Sequence, residues 1–509
     1  MECRTLQKCT IFFAPLLFLV LIYPSFSTTL AQNFQTNKKI NNIIDGDQNT
    51  DGSNSIAVHG NNIYVLWQNM GVPYYSYVSK STDGGVTFSD GVKVGGDQPQ
   101  LFGSITCDNA GVVYVAWSAI DAGGEMPDGI YFAKSVDGGA TFTSPVTVSP
   151  HGVFATIKVF NNNVYISYYA MKENSTLEVF FTRSTNGGTS FENPYPVNNV
   201  PVVKTKFDSP HSMYLDNSGV IYCIWNDGRR GGDGTDIYWA KSVNEGLSFF
   251  PNIMVNDING SRDKLRTAPS IAVSGSNVYA LWREETDDTG INRRVLFAKS
   301  TDGGNTFGAE KEIALGGWGS PILVMNTKGD IYLGYPQFTG PANGIFCAKS
   351  IDQGNSFPET AFINDTNSDA KNLSIVVDQN DVLYAVWTDN RNDNKDVYFS
   401  KGTIVVTDIL EDQNNVPTEF VLYQNYPNPF NPVTKIKYSI PSNVRGETGN
   451  VILKVYDILG RAVATLVNEN QTAGNYEVQF DGSKLASGVY LYKLQSGSFV
   501  QTKKLLLMK

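Results

Sequence analysis

Between residues 40 and 404 the apolar positions come in short alternating runs, broken by clusters of Gly, Asn and Asp. A period of two marks half-buried strands, and no helical period competes with it in this stretch. The runs themselves recur. An apolar residue followed by Tyr-x-x-Trp or Tyr-x-x-Tyr occurs at Tyr64–Trp67, Tyr114–Trp117, Tyr165–Tyr168, Tyr222–Trp225, Tyr279–Trp282, Tyr332–Tyr335 and Tyr384–Trp387. The Tyr-to-Tyr steps are 50, 51, 57, 57, 53 and 52 residues, so the repeat has seven units, each long enough for a four-stranded antiparallel sheet.

Each unit keeps one internal order. A short apolar strand comes first, as in SIAV (55–58), SIAV (270–273) and SIVV (374–377). A turn leads to the Tyr-x-x-Trp strand, and a longer loop leads to a third strand ending in a Lys-Ser pair in most units, as in YFAKS and YWAKS. In six units a tight turn and a fourth strand follow. This order and spacing predict an all-β fold, a seven-bladed β-propeller over residues 40–404, with six blades as the alternative. Unit seven lacks its own fourth strand. NIIDGDQNTDGSNSIAV (42–58) parallels AFINDTNSDAKNLSIVV (361–377), which predicts that residues 41–45 pair with 396–401 and close the ring. The rival is that TIVVTDI (403–409) completes unit seven.

Charge narrows the partners. Lys+Arg number 39 against Asp+Glu 49, a formal net charge of -10, and charged residues are 17% of the chain. That balance excludes nucleic acid as the expected partner, since phosphate binding needs a concentrated basic surface. Residues 1–31 read as a secretory signal peptide. Arg4 and Lys8 precede an apolar run, Ile11 to Tyr23, and small residues then offer cleavage after Ser27 or Ala31. Cys107, Cys223 and Cys347 remain beyond it, which is no disulfide framework and no zinc pattern. Metal: none is expected, and no cofactor is implied.

The turn between third and fourth strands reads S-x-D/N-x-G-x-T/S-F in six copies, beginning at Ser81, Ser135, Ser184, Ser242, Ser300 and Ser350. Asp83, Asp137, Asn186, Asn244, Asp302 and Asp352 are its acceptors for nearby backbone amides. The turn resembles the Asp-box (BNR) repeat of sialidase-like β-propellers, over residues 40–404. The resemblance implies a turn clamp, on the face away from any active site. It further implies, for members that hydrolyse sialosides, an Arg triad, a Tyr–Glu nucleophile pair and an Asp acid. This chain departs from sialidases in having seven units and no Arg-Ile-Pro motif near the start of the ring.

Candidate ligand-face residues lie in loops between strands two and three and between units: Arg229, Arg230, Arg266, Arg283 and Arg391. A guanidinium suits carboxylate and sulfate groups because its fork binds them bidentately. W-N-D-G-R-R (225–230) and W-T-D-N-R (387–391) repeat one sub-motif, which places Asp227 and Asp389 beside the arginines. These pairs read either as a binding face or as an Asp–Arg clamp bracing a loop. The clamp is preferred, because residues locked to a repeat usually serve it. Glu284, His211 and Asp208 complete the candidates, with Glu284 or Glu285 the acid that would pair with Tyr168, Tyr169 or Tyr335 in a hydrolase.

Residues 405–417 read as a polar linker. The chain from 418 to 509 then changes character, with about seven short strands beginning at YQNYP, as in an immunoglobulin-like β-sandwich. YPNPFNP (426–432), VYDILGRAVATL (455–466), ASGVYLYKL (486–494) and KKLLLMK (503–509) resemble the type IX secretion C-terminal sorting domain, type A. That implies export to the medium or cell surface, with the outer-membrane type IX secretion machinery as partner. The expected function is a secreted or cell-surface, monomeric sialidase-like propeller that binds glycans or another extracellular ligand. The alternatives are an exo-sialidase-type glycoside hydrolase and a protein-binding scaffold.

Overall fold

The computed structural model describes residues 34–41, 46–50, 54–71, 73–120, 127–171, 177–200, 211–231, 234–257, 263–285, 293–317, 319–338, 343–392, 394–404, 420–425, 428–441, 449–497 and 499–508. The leader and the linker expected above lie outside these residues. The chain divides into two compact units, Met1–Val405 and Val406–Lys509, and the described residues contain strands and no helix.

In the first unit the described strands form seven antiparallel sheets in chain order. The innermost strands are Ile56–His59, Gln100–Cys107, Val153–Phe160, Ser212–Leu215, Leu265–Ser274, Ile322–Met325 and Ala370–Val377. Each packs beside the next, and the seventh packs beside the first. The buried apolar clusters follow the same cycle. Each spans two successive sheets, and one joins Tyr384, Val386 and Phe399 of sheet seven to Ile56, Ile63 and Trp67 of sheet one. The inner strands surround a cavity of about 910 Å³, lined at equivalent positions by residues such as Ala57, Thr106, Lys158 and Val376.

A Ser within several inner strands ties neighbouring sheets. Ser104 Oγ accepts the Ile157 N–H (3.2 Å), Ser270 Oγ accepts the Leu323 N–H (3.0 Å), and Ser374 Oγ accepts the Ser55 N–H (3.0 Å), the last joining sheet seven to sheet one. The outermost strand of sheet seven comes from the chain start, with its register earlier than expected. Lys38 pairs with Phe399 and Lys39 with Tyr398, while the Ile40 N–H reaches the Val397 carbonyl at 2.8 Å. Asn41 turns away from the ladder, and its side-chain oxygen accepts the Val397 N–H at 2.7 Å. Phe34 packs against the core shared by sheets six and seven. Residues 403–404 form no strand there.

The six turns between third and fourth strands share one hydrogen-bond scheme, except that Asn186 and Asn244 donate to the Ser190 and Ser248 hydroxyls where the Asp copies accept. In the first, Ser81 Oγ donates to Asp83 Oδ1 (2.8 Å) and accepts the Gly85 N–H (2.8 Å). Asp83 then accepts the Thr87 N–H (2.9 Å) and hydroxyl (2.6 Å). These bonds hold the exposed Asp83 carboxyl well below its usual range. The second Gly has two reasons to be Gly. Its φ is positive, +92° at Gly85 and +87° at Gly304, and an aromatic ring of the preceding sheet lies where a Cβ would sit. The Phe that ends the turn packs on that same preceding sheet, edge-on: Phe191 on Phe132, Phe249 on Phe181, Phe357 on Phe297, and Phe88 on Phe399 across the closure. So the turn staples neighbouring sheets together.

The second unit has seven described strands in two sheets. One holds Val421–Leu422, Val433–Ile440 and Gly474–Asp481, and the other runs Ala462–Gln471, Gly449–Tyr456, Gly488–Ser496, Phe499–Leu507. The first strand is Val421–Leu422, so YQNYP begins after it. Leu422, Phe430, Leu453, Val455, Tyr492 and Leu505 belong to a core of the unit's own.

Candidate functional site

Of the expected loop arginines, Arg229 and Arg230 lie in the loop after Ile221–Asp227, whereas Arg266, Arg283 and Arg391 lie within strands, as do Arg293 and Arg294; the arginines sort into two arrangements. The first occurs twice. At the end of Ile221–Asp227 the chain turns sharply, because Asp227 Oδ1 accepts the Arg229 N–H (2.8 Å), and Arg229 Nε returns to Asp227 Oδ2 (2.7 Å). Trp225 Nε1 donates to the same carboxylate, and the guanidinium lies 4.2 Å over the Tyr238 ring. Its remaining donors reach Asn199 (3.0 Å) and Asn252 (3.1 Å). Asp389 and Arg391 repeat this in sheet seven, with Trp387, the Tyr398 ring at 4.2 Å, Asp365 (2.6 Å) and Asn37 (3.1 Å). Burial raises the Asp389 carboxyl, but bonds from Arg391, Ser368 and Trp387 outweigh it and leave it below the usual range. Asp227 and Asp389 are fully buried, so every oxygen lone pair directed at the arginine is spent inside the fold. Both arginines are thus bonded to their own aspartate and to neighbouring side chains.

The second arrangement couples sheets four and five, and it gathers candidates from both. Cross-strand register sets Arg266 opposite Glu284 and Glu284 opposite Arg294, so the three side chains share one face of the sheet. Arg266 Nε lies 3.1 Å from Glu284, Lys264 Nζ lies 3.1 Å from the same carboxylate, and Arg294 pairs with it as well. Arg294 also reaches Glu312 at 3.2 Å. Toward sheet four, Arg266 lies 3.3 Å from Asp236, which Arg230 holds in a bidentate pair. Beside this network Arg293 and Arg283 share Glu285 (3.3 and 3.5 Å), and Arg283 donates to the Gly319 carbonyl (2.9 Å).

Burial sets the depth of this network: Arg266, Arg283 and Arg293 lie as deep as the carboxylates, at 2%, 5% and 4% exposed, while Glu312 is 45% exposed. The Glu284 and Asp236 side chains are 0% and 5% exposed, whereas Lys264 and Arg294 are 36% and 29% exposed. Burial by itself raises the Glu284 carboxyl. Bonds from Arg294 and Lys264 and the charge of Arg266 more than offset it, so it stays ionised. The exposed part of the network is therefore Lys264, Arg294 and Glu312, above a buried layer that holds both signs. Asp236, Lys264 and Glu312 were not among the sequence candidates. Downstream of the two sub-motif copies, D-I-Y (236–238) and D-V-Y (396–398) put Asp236 and Asp396 at one repeat position, a signal that could have found Asp236.

His211 stands apart from both arrangements. Its Nε2 lies 2.7 Å from Ser167 Oγ, its ring meets Tyr169 edge-on at 5.0 Å, and its Nδ1 has no hydrogen-bond partner. Burial pushes the imidazole down to about 4. Asp208 lies outside the described residues. The contacts of Glu284 are arginine and lysine, and Tyr169 donates its hydroxyl to Asn226 (3.0 Å), so these two do not form a Tyr–Glu pair. Among the described residues no three His, Cys, Asp or Glu side chains stand close enough together to hold a metal ion, and Cys107, Cys223 and Cys347 are free thiols.

Residues 424–508 match the family described as "Secretion system C-terminal sorting domain". A type IX sorting domain is present. It supports export, to the medium or the cell surface. No curated protein matches the chain. Among solved structures, a polysaccharide lyase (PL25 ulvan lyase bound to -[GlcA(1-4)Rha3S]-) is 11% identical, with 70% of this chain and 94% of that chain covered and a TM-score of 0.50. A protein of unknown function from Dyadobacter fermentans is 17% identical over 60% of this chain and 95% of that chain, with a TM-score of 0.43. The NanB sialidase from Streptococcus pneumoniae is 11% identical over 71% of this chain and 70% of that chain, with a TM-score of 0.41. At such identity, the likeness to the ulvan lyase speaks to fold alone.

Proposed function

We propose that the chain is an exported protein whose seven-bladed, Asp-box β-propeller binds an acidic glycan at the rim of blades four and five. Residues 1–31 act as its signal peptide, and the C-terminal unit is an immunoglobulin-like sandwich that addresses it to the type IX machinery. The cyclic order of seven sheets supports the blade count, and the shared turn scheme supports the Asp-box assignment.

One observation supports the ligand class: Lys264 and Arg294 are partly exposed cations that share the fully buried Glu284 carboxylate, with the exposed Glu312 beside Arg294. A carboxylate or sulfate on a sugar meets guanidinium and ammonium donors already held in place by Glu284. Fixed donors lose little freedom on binding. The ring functions in this reading as a binding module. The hydrolase alternative needs a Tyr–Glu pair, and Glu284 is committed to basic neighbours instead. A glycan array spanning neutral, uronate-bearing, sulfated and sialylated chains tests the proposal, with acidic members alone expected to bind. Turnover of a fluorogenic sialoside, lost on Arg283→Ala, would favour the hydrolase.

A further inference from the structure

The sorting domain has one face that its own core does not use. In the sheet Ala462–Gln471, Gly449–Tyr456, Gly488–Ser496, Phe499–Leu507, the inward positions Val451, Leu453, Val455, Tyr492, Leu494 and Leu505 are buried. Directly opposed residues share a face, so the register defines the outward rows. One row is Tyr456–Leu491–Lys504 and the next is Lys454–Lys493–Thr502. Across the four strands the outward positions contain three lysines and no Asp or Glu. Apolar side chains lie among them. Leu491 and Val500 are 38% and 53% exposed. A free-standing sheet usually alternates apolar-in with polar-out, and a mixed apolar and cationic outer face departs from that rule.

The same face runs into a rigid tip. Past Tyr456 the chain reverses over Asp457–Arg461. Asp457 Oδ1 accepts the N–H groups of Leu459 and Arg461 (3.0 Å each), and Asp457 Oδ2 accepts from Arg461 Nε (2.7 Å). The tip's one carboxylate is thus spent within the turn. At its apex Ile458 and Leu459 are 74% and 71% exposed. They cannot fold back on the sheet, because the Asp457 bonds fix the backbone that carries them. A fixed, solvated Ile-Leu pair beside a cationic face has the features of a protein-binding anchor with a polar surround.

We propose that this tip and face are the surface by which the sorting domain docks on the outer-membrane export machinery, with Ile458 and Leu459 entering an apolar socket rimmed by carboxylates. The inference rests on the sorting-domain reading and assigns its contact surface. Charge complementarity sets the partner's chemistry, since Lys454, Lys493, Lys504 and Arg461 offer only cations to what they meet.

The test uses the full chain in a host with type IX export, scored as the fraction in the medium and on the cell surface against the fraction retained. Four variants are compared with wild type: Ile458→Asn with Leu459→Asn; Lys493→Glu with Lys504→Glu; Lys435→Glu with Lys437→Glu on the other sheet; and a chain ending at residue 405. Thermal melting of each purified full-length variant checks its fold. The expected result is at least a tenfold fall in export for the first two and for the shortened chain, with wild-type export for the third. Normal export of the first two while the shortened chain is retained would overturn the docking surface and leave the sorting domain standing. Export of the shortened chain would overturn the sorting reading and this inference with it. An equal fall for the third variant, or binding to anionic lipid vesicles that the tip variant loses, would also overturn the docking surface.

Discussion

Arg391 donates to the Asn37 side chain at 3.1 Å, across 354 positions of sequence. In sheet four the matching partner of Arg229 is Asn252, one residue ahead of the fourth strand Ile253–Met254. Asn37 likewise stands one residue ahead of Lys38–Lys39. The chain start thus occupies the place of a fourth strand and also takes up its loop-bracing contact. Removing residues 32–41 should open the edge of Asn394–Gly402 and the junction between sheets seven and one. We expect a lower melting temperature and concentration-dependent aggregation, read by differential scanning fluorimetry and light scattering. An unchanged melt would mean that the strand adds nothing to closure.

The two clamps should respond alike. Arg391→Ala and Arg229→Ala each strand a fully buried aspartate, which typically costs about 3–5 kcal/mol. Lys at either position restores charge but not the fork, so rescue should be partial. Urea unfolding of the four variants measures this, and a cost under about 1 kcal/mol would show that the aspartates find other partners.

Glycine positions in the ring separate backbone strain from crowding. A Cβ on Gly304 would sit 1.9 Å from the Trp239 ring, whereas one on Gly275 would meet nothing within 4 Å, though both have positive φ. Gly275→Ala should cost about 1–2 kcal/mol for the left-handed backbone. Gly304→Ala should add a further 1–3 kcal/mol or so for overpacking. Equal losses in urea unfolding would mean that Trp239 moves aside freely.

His211 predicts a direction with pH. Its imidazole falls from 6.5 to about 4 on burial, so between those values the unfolded chain binds more protons than the folded one. Stability is then unaffected above 6.5 and is lost as pH drops toward 4, by an amount of order 3 kcal/mol. The melting temperature of His211→Gln should decline less steeply from pH 6.5 to 4 than that of wild type. Parallel slopes would place the sensitivity elsewhere.

The seven units, their strand order and the six shared turns were legible because a repeat writes the same local chemistry many times over. The closure was legible only as a parallel between two stretches. Its register was missed because KKIN (38–41) lacks the alternation that fixes which residue faces in. The sub-motif around Asp227 and Asp389 showed in sequence as a repeated pair, and its geometry needed coordinates. The rim network stayed hidden for another reason. Arg230, Asp236, Arg266, Glu284 and Arg294 come from two sheets, and no spacing shows that Asp236 of one lies 3.3 Å from Arg266 of the other.

Binding of the mature chain to acidic polysaccharide tests the central claim most directly. In native gels carrying a uronate-rich or sulfated polysaccharide, wild type should be retarded, and retardation should weaken as salt screens the rim. A neutral polysaccharide should leave mobility unchanged. Lys264→Gln with Arg294→Gln should lose most of the retardation; both side chains also bond the buried Glu284, so this variant should melt lower, and the gels are run well below its melting temperature. Equal retardation of that variant, or binding to the neutral gel alone, would contradict the account.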